Sequence, residues 1–196
     1  MMIEFGWMQI SAGLVLMVII LVAVWRRKKN MSYLFFSIVF WIYLLGVFSV
    51  VIFPFPIRLA NPNFTLNINL VPFYFGSCFD ELPALCFRII FANILLTIPF
   101  GFWINFLARI KPKHIFWLAV GVGMTFETAQ LVISLITRNS FRAVDINDLI
   151  LNALGILIGY GLFKVFSVVY AYVIGRFGIQ PRHIFAYILG MVSNSD

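Results

Sequence analysis

The sequence predicts an all-α bundle of five membrane-crossing helices, and three observations carry that expectation. Of the 196 residues, 63% are hydrophobic and 11% are charged, with a mean hydropathy of +1.03. A soluble domain of this length needs a polar shell and has too little interior for so much apolar surface. The apolar residues fall into five runs, each near the ~20 residues that a helix needs to cross a bilayer core. Lys and Arg sit in short clusters between those runs, which is the topology signal of a polytopic membrane protein. This clustering excludes the nucleic-acid reading that a net charge of +7 would otherwise invite. The 23 Phe suit a lipid-facing surface.

The first run is Trp7 to Trp25. No basic region precedes it and no small-residue cleavage site follows it, so it reads as a retained helix rather than a signal peptide. Residues 1–32 are then an extra N-terminal helix and a basic loop. The second run, Tyr33 to Phe53, is closed by Pro54 and Pro56. A long loop over 54–87 follows, holding Asn61, Asn63, Asn67 and Asn69 and showing no clear helix or strand. Loops of that size are often functional. The third run is Ile89 to Leu107, with a break expected at Ile98-Pro99-Phe100-Gly101. A mid-span proline frees a carbonyl and makes room for a cavity. Lys111-Pro112-Lys113 separates it from the fourth, Ile115 to Ile136, and the fifth is Leu149 to Tyr170. Residues 33–170 thus form a four-helix membrane domain and 171–196 a cytoplasmic tail. Helix interfaces are expected at Gly121, Gly123, Gly155, Gly159 and Gly161, since small residues let helices approach in lipid.

Orientation follows from the cations. Arg26, Arg27, Lys28, Lys29, Arg109, Lys111, Lys113, Lys164, Arg176 and Arg182 share one side, ten of the 14 Lys and Arg. Only Arg58, Arg88, Arg138 and Arg142 take the other. The richer side is cytoplasmic, which puts the N-terminus outside and the C-terminus inside. Glu4, Asp80, Glu81, Asp145 and Asp148 then lie outside.

Glu127 stands out because it falls inside the fourth run, where a charge costs about 3 kcal/mol even on lenient insertion scales. Ionisable groups persist at such depth when they face a protein cavity and have partners. Gln130 shares its helix face at i+3, and Ser134 extends that face. Just beyond come Arg142, Asp145, Asp148 and Asn152, the last three again on one face. Asn93 lies on the same outer half of the third run. Asp145 and Asp148 fit two roles, capping the fifth helix or contacting a ligand. Asn93 reads first as interhelical hydrogen-bond glue, and Asn152 fits that role too. A purely structural role for Glu127 would pair it with an external-side arginine such as Arg88 or Arg142.

Cys78 and Cys86 share the outer loop, where a disulfide and two free thiols are both compatible. They have no metal-site spacing. The chain has no GxSxG, HExxH or Walker loop. His114 and His183 fall on the cytoplasmic side, away from the acidic cluster. The acid/Asn cluster suits Mg, Ca or Mn, but its spacing requires none, so no metal or cofactor is assigned.

Four blocks carry a resemblance: Asn69-Leu-Val-Pro72-Phe73; Asn93-Ile-Leu-Leu-Thr-Ile-Pro99-Phe100-Gly101; Thr125-Phe126-Glu127-Thr-Ala-Gln130; and Arg142-Ala-Val-Asp145-Ile-Asn-Asp148-Leu-Ile-Leu-Asn152-Ala-Leu-Gly155. With this order and spacing the chain resembles the VanZ family of membrane proteins over roughly Tyr33 to Lys164. The namesake of that family is linked to teicoplanin resistance. The resemblance implies a bacterial plasma membrane and a cell-envelope phenotype, without a reaction. The cysteines are no part of it.

Three functions are compatible with these residues. In the first, Glu127, Gln130, Arg142, Asp145, Asp148, Asn152 and Asn93 serve an outer-leaflet cavity that binds or remodels a polar lipid headgroup, a lipid-linked cell-wall precursor or a lipoglycopeptide. Arg142 would pair with phosphate or carboxylate, and the acids with amines, hydroxyls or a cation. In the second, a membrane-embedded enzyme acts on that precursor with Glu127 as acid or base. The third is a proton-coupled lipid transporter, against which five spans without a repeat weigh.

Overall fold

The computed structural model describes residues 2–28, 30–56, 64–76, 78–139 and 144–193. In chain order, β1 (Met2–Ile3) and α1 (Trp7–Lys28) precede α2 (Met31–Val51), β2 (Phe55–Pro56), β3 (Ile68–Asn69) and α3 (Cys78–Glu81). There follow α4 (Pro83–Leu107), α5 (Pro112–Thr137), β4 (Val144–Asp145), α6 (Ile146–Phe177) and α7 (Ile184–Val192). Five of these helices, α1, α2, α4, α5 and α6, are long and apolar enough to cross a membrane. The all-α class and the five predicted runs therefore hold.

Two helices outrun the predicted spans by six residues or more at one end. α4 starts at Pro83 rather than Ile89, because proline suits a first turn where no backbone donor is needed. α6 continues past Tyr170 to Phe177 and stops at Gly178, whose φ of 59° is the left-handed cap glycine adopts easily. At 32 residues it is about 48 Å long, well beyond a ~30 Å hydrocarbon core. Hydropathy marks the stretch that lies in lipid, whereas caps mark where the helix ends. The expected break at Pro99 is absent, and α4 runs through it as helix. At that turn the Tyr43 hydroxyl on α2 donates to the Leu96 carbonyl at 2.7 Å.

α4 and α6 run parallel and form the central seam. A Cβ added to Gly155 would strike the Ile94 carbonyl and the Thr97 side chain, and one on Gly159 would strike the Ile98 carbonyl. From the other side, a Cβ on Gly101 would meet the Ile156 carbonyl. The helices therefore touch backbone to backbone, and the Thr97 hydroxyl donates across the seam to the Asn152 carbonyl at 2.9 Å. Gly123 of α5 abuts Leu149 of α6. Gly121 and Gly161, expected at interfaces, face open space instead. Each stands two residues from an interfacial glycine, about 200° around the helix and so on the opposite side.

Around the seam, α5 packs Ile115 and Ala119 against Ala153, Ile156 and Tyr160 of α6. α2 closes the other flank, its Phe36 ring stacked on Phe106 with centroids 4.5 Å apart. α7 folds back against this aromatic cluster, and its Tyr187 hydroxyl donates to the Phe106 carbonyl. Residues 171–196, read as a tail, thus include the last turns of α6 and a helix packed on the bundle. Among the described residues α1 packs chiefly on α2, where the Trp41 indole N–H donates to the Gly13 carbonyl at 3.0 Å.

The 54–87 stretch has more regular structure than its sequence suggested. β2 pairs antiparallel with β1 (Ile3 opposite Phe55), and β3 pairs parallel with β4 (Ile68 opposite Val144, Asn69 opposite Asp145). Each strand has two residues, and its partner lies far along the chain, so no local alternation reveals it. These pairings tie the N-terminal strand, the long loop and the head of α6 together at one end of the bundle; α7 lies at the other.

Candidate functional site

The site is built on the first turn of α6. Asp145 is the N-cap, and its Oδ1 accepts from the Asn147 N–H at 2.8 Å. Asp148 lies in the same first turn, where carboxylates favour the positive end of the helix dipole. The capping reading of Asp145 therefore holds, and it leaves the carboxylate on the wall of a cavity.

Glu127 reaches this turn from α5. It is buried, and its Oε2 accepts from the Asp145 N–H at 2.9 Å. Among the described residues that donor is its partner, not Arg88 or another arginine. The N–H it takes precedes the helix and has no partner within it, so Glu127 pins α5 to the head of α6. Its carboxylate also lies near those of Asp148 and Asp145. Asn93 of α4 donates from Nδ2 to Asp148 Oδ1, so this glue residue also positions the second acid. Gln130, one turn from Glu127, donates from Nε2 to the Val51 carbonyl at 3.3 Å.

The long loop forms the opposite wall. Asn69 donates from Nδ2 to Asp145 Oδ1 at 3.1 Å and to the Tyr74 carbonyl at 2.9 Å. Its Oδ1 accepts from the Val71 N–H at 3.1 Å. Asn147, fully buried, answers from α6: its Oδ1 accepts from the Phe73 N–H and its Nδ2 donates to the Tyr74 carbonyl at 2.8 Å. These bonds hold Phe73 at a φ of 62°, a left-handed conformation that bulky residues rarely adopt. The Phe73 ring consequently stands 76% exposed beside Leu70 and Val71, which are exposed as well.

Between the two walls lies a cavity of about 630 Å³, lined by Asn67, Asn69, Tyr74, Phe75, Gly76, Cys78, Cys86, Ile89, Gln130, Asp145 and Asp148. Cys78 and Cys86 are paired as a disulfide at its rim, with Cα atoms 5.8 Å apart. Carboxylates, amides and a phenol make this a hydrogen-bonding surface for amines and hydroxyls. Among the described residues, no group of three His, Cys, Asp or Glu side chains could hold a metal ion.

The residues named from the sequence divide accordingly. Gln130, Asp145 and Asp148 share the cavity wall, while Glu127 and Asn93 stand behind it as supports. Asn152 lies deeper, with its Oδ1 buried and without a hydrogen-bond partner in the structure. Arg142, Asn61 and Asn63 lie outside the described residues. Sequence reasoning passed over Asn147 and named Asn69 only as part of the Asn-rich loop expected to cover the cavity. Both sit inside the blocks quoted above, where a short polar side chain in an otherwise apolar stretch was the available signal.

The VanZ/LLP1 family model matches residues 40–167, from α2 through most of α6 and including all of these site residues. Among curated proteins and among solved structures, none matches the chain. The chain belongs to the VanZ family.

Proposed function

We propose that this VanZ-family membrane protein binds the polar head of an amphiphilic envelope molecule in the cavity at the head of α6. The candidates are a lipid headgroup, a lipid-linked cell-wall precursor and a lipoglycopeptide, and binding alters the ligand's exposure at the outer leaflet. The observation that carries this reading is the cavity itself. Its volume of about 630 Å³ suits a sugar- or peptide-sized group, and its polar lining is Asp145, Asp148, Asn67, Asn69, Gln130 and Tyr74. The two carboxylates accept from amines and hydroxyls, and Arg142 is assigned to a ligand phosphate or carboxylate. Exposed Leu70, Val71 and Phe73 beside a polar cavity suit a ligand that also carries an acyl tail.

The disulfide on the cavity rim supports the exoplasmic placement inferred from the cation count, because disulfides persist outside the reducing cytosol. On this reading the N-terminus is outside and the C-terminus cytoplasmic. Glu127 serves by positioning rather than as acid or base, since its carboxylate is engaged by the Asp145 N–H behind the wall.

Asp148→Asn and Asp145→Asn change charge while keeping shape, and asparagine caps helices as well as aspartate does. In cells challenged with a lipoglycopeptide, both variants are expected to lose protection at unchanged membrane levels, and so is Glu127→Gln. Protection that survives in all three variants refutes the assignment.

A further inference from the structure

A second polar cavity lies at the α7 end, opposite the site above. It measures about 620 Å³, and its wall includes Asn30, Tyr33, Leu107, Arg109, Tyr187 and Met191. Asn30 caps α2 there, its side chain accepting from the Ser32 and Tyr33 N–H groups, so these donors are already satisfied and Arg109 is the charged group on the wall. Arg109 gives one hydrogen bond, from Nη2 to the Gly190 carbonyl at 3.3 Å. The carboxylates of Glu4, Glu81, Glu127, Asp145 and Asp148 belong to the other end of the bundle, so no described acid neutralises this guanidinium. Burial pushes the Tyr187 hydroxyl up to about 12, with nearby Tyr33 adding to the rise and Arg109 opposing it. Tyr187 therefore stays neutral and brings no negative charge to the cavity. Exposed Lys111 and Lys113 flank Arg109 in sequence and enlarge the positive field.

An apolar groove leads away from this cavity. It measures about 230 Å³ and lies between Met17, Leu21 and Val24 of α1 and Phe40, Trp41 and Leu44 of α2. Cavity and groove share Tyr33 and Leu107 as a common wall. α1 approaches α2 closely at Gly13, against Leu45, and the groove lies along α1 beyond that contact.

We infer that this joint cavity and groove is a phospholipid site: an anionic headgroup phosphate pairs with Arg109 at the N-terminus of α2, and an acyl chain fills the groove between α1 and α2. A free phosphate would use the cavity alone, whereas a phospholipid uses both parts. The placement at the helix ends matches the depth of a lipid headgroup. The lipid then supplies contacts to α1 that the protein itself lacks.

The test is native mass spectrometry of the purified full chain, offered phosphatidylglycerol and phosphatidylcholine in equal amounts. Wild type is expected to retain one phosphatidylglycerol with about tenfold preference, the scale of one or two basic side chains at a headgroup. Arg109→Gln is expected to abolish that preference, and Arg109→Lys, which keeps the charge, to retain part of it. Leu21→Trp fills the groove from loosely packed α1 and is expected to weaken retention with the cations intact. Excess inorganic phosphate is expected to leave the lipid bound. Undiminished preference in Arg109→Gln, undiminished retention in Leu21→Trp, or displacement by inorganic phosphate would each overturn the inference.

Discussion

α1 and α6 are both hydrophobic helices of membrane length, yet the structure uses them in opposite ways. α6 is packed backbone to backbone on α4 and carries the polar head of the candidate site. The crossing window of α1 has no buried residue, and among the described residues α1 packs chiefly on α2. Apolar side chains gain little by leaving lipid for protein, so hydrophobicity places a helix in the membrane without attaching it to a neighbour. Attachment comes from glycines and hydrogen bonds, and α6 has Gly155, Gly159 and Asn152 where α1 has Gly13 alone at a close contact. The family match divides the molecule the same way, since residues 40–167 include the seam and exclude α1.

The strongest challenge to this contrast is Gly159→Ala. A methyl there meets the Ile98 backbone, so the helices must separate at a cost of about 3 kcal/mol or more. Thermal unfolding in detergent is expected to show a large loss, and a melting profile like wild type would mean that the seam does not hold the bundle. Removing the cap with Asp145→Ala is expected to cost about 1–2 kcal/mol, whereas Asp145→Asn costs almost nothing. Equal losses in the two would point to charge rather than capping at the head of α6. On the other side of the comparison, Trp41→Phe removes the indole bond to Gly13 and is expected to cost about 1 kcal/mol. That loss should register as greater α1 mobility in spin-label distances, with the core melt unshifted. The smallest effects belong to Gly121→Ala and Gly161→Ala, within about 0.5 kcal/mol, because both face open space.

Much of this architecture was legible in the sequence. Spans and class follow from apolar run length, which the bilayer sets directly. Glu127 and Asp145 were legible as neighbours in one site, but the sequence pointed to an arginine as the partner of the buried acid, and the donor is the Asp145 backbone N–H. The cavity's second wall was only half legible. Asn69 and Asn147 act across 76 and 73–74 residues through strand pairs and turns too short to leave a pattern. Gly121 and Gly161 were misplaced because composition counts small residues without assigning them a helix face. The parallel contact of α4 with α6 emerges only when both helices are seen packed.

The most direct measurement is titration of the purified protein with a lipoglycopeptide and, separately, with a lipid-linked cell-wall precursor, comparing wild type with Asp148→Asn. This substitution removes one cavity carboxylate while keeping an amide carbonyl in reach of Asn93. Saturable binding of at least one ligand by wild type, weakened about tenfold or more in Asp148→Asn at unchanged helicity, is the predicted result. Equal binding by the two proteins, or no binding of either ligand by wild type, would contradict the account.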